Sequence, residues 1–249
     1  MPWNRIACLN IYLDEVNNMI TIRPASERGH ANHGWLDSNF SFSFADYYDP
    51  KHMGFRALRV INEDVVAPQM GFGKHPHRDM EILSYVLSGA VKHEDSMGSS
   101  EILRPGELQH MSAGSGVRHS EMNPSSTTPF HMLQIWLIPN QMGIEPTYEQ
   151  KAFNVQSEPD KLHLLATKDG REDSFVIHSD AELLAARLTA GGFVQHTFRA
   201  NYGWLQVARG TVTIAGATLK AGDGLQLEAE PSITVSSEDG GEFLLFDLD

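Results

Sequence analysis

GFGKHPHRDMEILSYVLSG, residues 71–89, places two histidines two positions apart, then a carboxylate, then an apolar run that ends on a glycine. Successive side chains of a β-strand alternate faces, so His75 and His77 point the same way and can reach one ion. The run at 81–87, between Asp79 and Gly89, reads as a second strand. Similar runs occur at 57–61 and 132–138, each bounded by Gly, Pro, Asn or Asp. Many short strands at close spacing suggest a sandwich or barrel, so the expected fold class is all-β.

The chain has 249 residues, room for one large or two smaller domains. With 41% hydrophobic residues, 20% charged, 21 Gly and 12 Pro, it is neither collagen, low-complexity disorder nor a charged coil. A net charge of -13 repels phosphate backbones, which excludes nucleic acid as a direct partner. The lone Cys8 excludes a disulfide framework and a cysteine-built zinc site, and suits a reducing compartment such as the cytoplasm. No apolar run approaches the roughly 18 to 20 residues of a membrane span, and no signal-peptide order opens the chain.

Residues 1–19 read as an extension, because a second methionine, Met19, directly precedes the strand-like Ile20-Thr21-Ile22-Arg23. A β domain is expected over 20–140, a linker with Pro146 and Pro159 over 141–160, and a second domain over 161–249. The spacing predicts one helix at 179–188, with Ser179 as N-cap and Glu182 completing a capping box. Residues 83–91 (LSYVLSGAV) align with 204–212 (WLQVARGTV), and Pro105-Gly106-Glu107 with Ala221-Gly222-Asp223. Two β domains of one plan follow.

Histidine is the compositional anomaly: 12 against 7 lysines, six of them (His75, His77, His93, His110, His119, His131) between 75 and 131. A neutral imidazole ligates transition metals without losing a proton near pH 7. A lone H-x-H is weak, but Glu81 and the group His119-Ser120-Glu121 bring three imidazoles and one or two carboxylates together. The other histidines read as structural: His30 and His33 as loop hydrogen-bonders, His93 and His131 at strand ends, His110 without a motif. Arg118 alternates away from His119. Gly114-Ser115-Gly116 is too short to cradle phosphate.

Residues 71–89 resemble the first cupin motif and 116–123 (GVRHSEMN) the second. More narrowly, HEDSMG at 93–98, PGELQHMSAGSGVRHSEMNP at 105–124 and QIWLIP at 134–139 resemble the pirin family. The lead-in at 26–50 and EPTYEQ at 145–150 are similar to its bacterial quercetinase branch. The chain departs from the general cupin pattern at Gly71, at Gly114 and in the spacing from Glu81 to Gly89; the pirin pattern accommodates all three.

The resemblance implies a bicupin, two jelly-roll β-barrels with few short helices. It places one divalent transition metal in the N-terminal barrel, held by His75, His77, His119 and Glu121. Fe(II) is the first expectation, with Mn, Co, Ni, Cu or Zn as alternatives. The implied activity is a dioxygenase that opens the central ring of a flavonol such as quercetin, or of another enol or phenol, with O2. Glu121, or Glu81 at the carboxylate position of ordinary cupins, is the implied base. The other activity the family implies is a metal-bearing redox sensor that binds a protein partner. Phe72, Met111 and Met132 flank the motifs as aryl-pocket candidates or as core. In the second copy His196, Phe198 and Tyr202 fall at the positions of His75, His77 and Glu81, so that domain is expected to hold no catalytic metal.

Overall fold

A computed structural model describes residues 19–249; of the expected extension, 1–18 lie outside the described residues. Six strands open the fold: β1 (Met19–Arg23), β2 (Gly29–Asn32), β3 (Leu36–Phe40), β4 (Leu58–Val66), β5 (Gly71–His77) and β6 (Glu81–Ser88). Next come β7 (Val91–Asp95), β8 (Ser100–Leu103), β9 (Glu107–Ser112), β10 (Val117–Met122), β11 (Phe130–Leu137) and β12 (Thr147–Ala152). The second half contains β13 (His163–Thr167), β14 (Phe175–Val176), β15 (Ala181–Leu188), β16 (Phe193–Thr197) and β17 (Tyr202–Ile214). It ends with β18 (Ala217–Lys220), β19 (Gly224–Glu228), β20 (Ser232–Ser236) and β21 (Gly241–Leu248). Helix among the described residues amounts to two short 3-10 turns, Ala25–Glu27 and Arg171–Asp173.

The two halves repeat one strand path. The N-terminal large sheet runs β12-β9-β6-β11-β4-β3-β2 and faces a small sheet β5-β10-β7-β8. The C-terminal sheet runs β1-β19-β17-β21-β15-β13-β14, while β16 pairs β20, and β20 and β18 pair the far half of β17. Matched glycines mark the repeat: Gly89 and Gly210 have φ of 76° and 63°, Gly106 and Gly222 of 89° and 87°. Such left-handed backbone favours glycine, and a Cβ at Gly89 would also stand 2.6 Å from the Pro129 carbonyl oxygen. The fold is the expected bicupin.

The halves exchange edge strands. Strand β1, expected to open the first domain, pairs antiparallel with β19 of the second, Met19 to Glu228 through Arg23 to Gly224. Strand β12, inside the expected linker, pairs with β9 of the first. An edge strand needs only one ladder and one buried face, so its own sequence does not say which sheet supplies them.

The large sheets pack against each other. Leu83, Tyr85, Leu133 and Ile135 share one core with Leu183, Trp204, Leu244 and Phe246. Their neighbours point inward, Leu184, Leu205, Phe243 and Leu245 into the C-terminal barrel, and Val86, Phe130 and Met132 into the N-terminal one. Strands buried on both faces lose the alternating pattern. That accounts for the segment 179–188, where residues 181–188 form strand β15 in place of the expected helix. Leu183, Leu184, Ala185, Ala186 and Leu188 are all buried, and good helix formers on two buried faces mimic a helical pattern. Leu183→Ala and Leu184→Ala, on opposite faces, should each cost about 2–5 kcal/mol, read from denaturant midpoints; a cost at one position alone would contradict the two-sided burial.

Candidate metal centre

Strands β5 and β10 pair antiparallel with His75 opposite His119 and His77 opposite Val117. The register slips between His119 and Glu121, so β5 contains an extra residue there. Gly71 permits the close approach: a Cβ on it would stand 2.2 Å from the Glu121 carbonyl oxygen. The bulge re-aims side chains beside the site. Ring centroids of His75, His77 and His119 form a triangle with sides of 4.7, 4.5 and 4.8 Å. On its other side β10 pairs with β7, which sets Glu121 opposite His93. Two groups of ligand atoms result, each within 4.8 Å: His75, His77, His119, and His93, His119, Glu121.

Burial keeps the His77 and His119 rings neutral. Desolvation, then the neighbouring His75 and His77, push His119 down to about 2. His77 falls to about 4 through burial and then His75. Glu121 moves the other way, up to about 7, because it is buried. Its oxygens accept hydrogen bonds from Ser84 Oγ at 3.2 Å and Gln134 Nε2 at 2.8 Å, and neither donor is charged. Asp64, buried in the same barrel, is raised to about 6 by burial.

These donors fit a metal. His75 donates Nδ1–H to the Gly73 carbonyl at 2.8 Å, which leaves its Nε2 bare. That nitrogen lies 3.1 Å from His119 Nε2. Two ligands about 2.1 Å from one ion and at right angles to each other stand about 3.0 Å apart. Three imidazoles and a buried carboxylate lacking a cationic neighbour suit a divalent transition metal better than Ca or Mg.

Glu81 sits elsewhere. Along β6, Ile82, Ser84 and Val86 enter the N-terminal barrel, whereas Glu81, Leu83 and Tyr85 face the second half. Glu81 accepts hydrogen bonds from His110 Nε2 at 2.7 Å and Ser112 Oγ at 2.6 Å. The His110 ring lies 5.7 Å from that of Phe175 in the second half. The pleat thus corrects the reading of Glu81 as a base near the histidines. Met111 and Met132, fully buried, are core, and Phe72 packs edge-on to Trp35 at 5.5 Å. The aromatic wall is a different one: Trp136 stands 4.9 Å from His77 and 5.3 Å from Phe44. Arg118 reaches out to the Lys74 carbonyl at 3.4 Å. His131 pairs with Glu63, and His30 with Asp37. In the second copy His196 bonds Asp247 at 3.1 Å. Reading His93 as structural missed its place beside His119; the same-face spacing His93-x-Asp95 was the available signal.

A pirin family model matches residues 21–137, and one for the quercetinase C-terminal cupin domain matches 164–248. The chain belongs to the pirin family. This pirin is 51% identical over 232 residues to quercetin 2,3-dioxygenase of Escherichia coli K12, covering 92% of this chain and 99% of that one. It is 40% identical to a pirin-like protein of Caulobacter vibrioides, over 92% and 99% of the two chains. The crystal structure of the bacterial pirin YhhW of E. coli with nickel(II) superposes with a TM-score of 0.88 at 50% identity, over 92% of this chain and 99% of that one.

In chelator-treated protein Glu121, raised from 4.5 to about 7, holds a proton that the unfolded chain gives up earlier. The stability it contributes is present below about 4.5 and lost as pH rises through about 7. Thermal midpoints of the parent should therefore fall relative to Glu121→Gln across that window. A constant difference would contradict the buried, cation-free carboxylate.

Proposed function

We propose that this pirin is a metal-dependent dioxygenase that opens the central ring of a flavonol such as quercetin with O2. The convergence of imidazole nitrogens from His75, His77 and His119 supports the reading, in a chain half identical to a quercetin 2,3-dioxygenase. His75, His77, His119 and Glu121 would hold one divalent transition metal per chain. Iron is the ion we assign; the related E. coli pirin YhhW has a structure in complex with nickel(II).

When bound, the ion supplies Lewis acidity to an enol or catechol oxygen and a route for electron exchange with O2. The chain does the rest. Glu121 takes the flavonol hydroxyl proton at a carboxylate oxygen. Ser84 and Gln134 keep that carboxylate in place by donating to its two oxygens. His75 and His77, half-buried, stand on the open side, while His119 and Glu121, at 0% and 1% exposure, form the dry floor. Trp136 and Phe44 offer aryl surface beside His77. The Trp136 Nε1–H is buried without a partner among the described residues, a donor that a substrate oxygen would satisfy.

Aerobic incubation of metal-loaded protein with quercetin should bleach its visible absorbance and release carbon monoxide. No turnover with Fe, Mn, Co, Ni or Cu would overturn the enzymatic reading and leave the sensor. His77→Ala should lose metal, measured by elemental analysis, while its far-ultraviolet circular dichroism stays that of the parent; a full equivalent in the variant would remove His77 from the ligand set. Phe198→Leu should keep one equivalent and full activity, and a second equivalent in the parent would place an ion in the other barrel.

A further inference from the structure

Behind His119, away from His75 and His77, lies His93. His119 Nδ1 stands 3.5 Å from His93 Nδ1, a long contact, and His93 Nε2 stands 3.1 Å from Asp95 Oδ2. The His93 and Asp95 side chains have no solvent exposure. Asp95 Oδ1 accepts the backbone N–H groups of Met97 at 2.9 Å and Ser99 at 3.0 Å. The His93 ring is stacked on Tyr148 at 4.4 Å, which fixes its plane. Burial would raise the Asp95 carboxyl, but the His93 hydrogen bond and these N–H groups outweigh it and keep the group ionised.

The position of each proton follows from which atoms can donate. An ionised carboxylate only accepts, so the proton between Asp95 and His93 belongs to His93 Nε2. A neutral imidazole carries one proton, so His93 Nδ1 is bare. The single proton of a neutral His119 then has two acceptors, His93 Nδ1 at 3.5 Å and His75 Nε2 at 3.1 Å, and donation to His93 leaves Nε2, the atom facing His75, bare.

We propose that Asp95, acting through His93, is a positioning residue that locks His119 in its Nδ1–H tautomer and so presents Nε2 to a metal. The proposal rests on the metal-centre reading above and extends it by two residues outside the implied ligand set. His75 reaches the same tautomer by a different device, the backbone carbonyl of Gly73.

Asp95→Asn tests it. The amide oxygen can keep the Met97 and Ser99 bonds, while its nitrogen donates to His93 Nε2. The chain of protons then reverses: His93 Nδ1 donates to His119 Nδ1, and the His119 proton moves to Nε2, the ligand atom. An aspartate-to-asparagine change beside an imidazole is known to trap the wrong tautomer in this way. Long-range proton–nitrogen spectra of the chelator-treated protein should show His119 protonated at Nδ1 in the parent and at Nε2 in Asp95→Asn. Nickel(II) affinity, from competition with a chelator, should fall about 10- to 100-fold, with one equivalent still bound at saturation.

His93→Phe removes the relay but leaves His119 free to choose its tautomer, so it should weaken nickel binding less than Asp95→Asn does. A merely structural role predicts the opposite order, because asparagine is isosteric and keeps the turn. Unchanged spectra and affinity in Asp95→Asn, or a larger loss in His93→Phe, would overturn the proposal. Should Asp95→Asn fail to fold, an Nε2–H on His119 in the parent spectrum overturns it equally. A parent that takes up no nickel would sink the metal-centre reading instead, and the ring-nitrogen spectra would still judge the tautomer.

Discussion

Two imidazole nitrogens, His75 Nε2 and His119 Nε2, face each other at 3.1 Å in surroundings too dry to charge the His119 ring. His75 Nε2 is bare, so the pair is satisfied either by an Nε2–H on His119 or by a cation between the two nitrogens. The pairing of β5 with β10, the bulge, and the glycine that lets the strands close all serve to hold that arrangement. The carboxylate of Glu121, buried with only neutral donors around it, has an unmet need for positive charge.

The two barrels share a strand path and differ in what they enclose. The C-terminal barrel is filled by Leu184, Leu205, Leu225, Phe243 and other apolar side chains. The N-terminal barrel also buries Asn62, Asp64, Ser84, Gln109, Gln134 and Glu121. Buried polar groups cost free energy unless fully bonded, and Asn62 Oδ1 and Gln109 Oε1 find no partner among the described residues. One copy thus supplies a plain apolar core, and the other spends part of its core volume on polar groups that chemistry can use.

Strand β6 links these halves. Its even-numbered side chains support the histidine cluster, Ser84 by reaching Glu121. Its odd-numbered ones face the second half, where Tyr85 donates to Glu242 at 2.6 Å and Gln156 donates to the same carboxylate at 3.0 Å. Arg209 completes that ion pair at 3.3 Å. A shift of β6 would therefore disturb both the metal site and the contact between barrels.

The all-β class, the duplicated plan and the histidine pair were legible because each depends on short-range spacing: period two along a strand, and glycine where the backbone turns left-handed. The four residues implied as ligands lie in two short motifs for the same reason. What could not be read depends on partners distant in sequence. Strand β15 imitates a helix because both its faces are buried, and β1 and β12 exchange sheets because an edge strand does not encode its neighbour. The motifs favoured Glu121 as ligand but left Glu81 open as the base; the pleat of β6 sends Glu81 to the barrel contact, and the strand pairing leaves Glu121 beside His119. Amino-acid order alone determined which side chains share a strand face; only the tertiary structure decided which faces meet, because burial and hydrogen-bond partners are set by strands brought together from far apart in the chain.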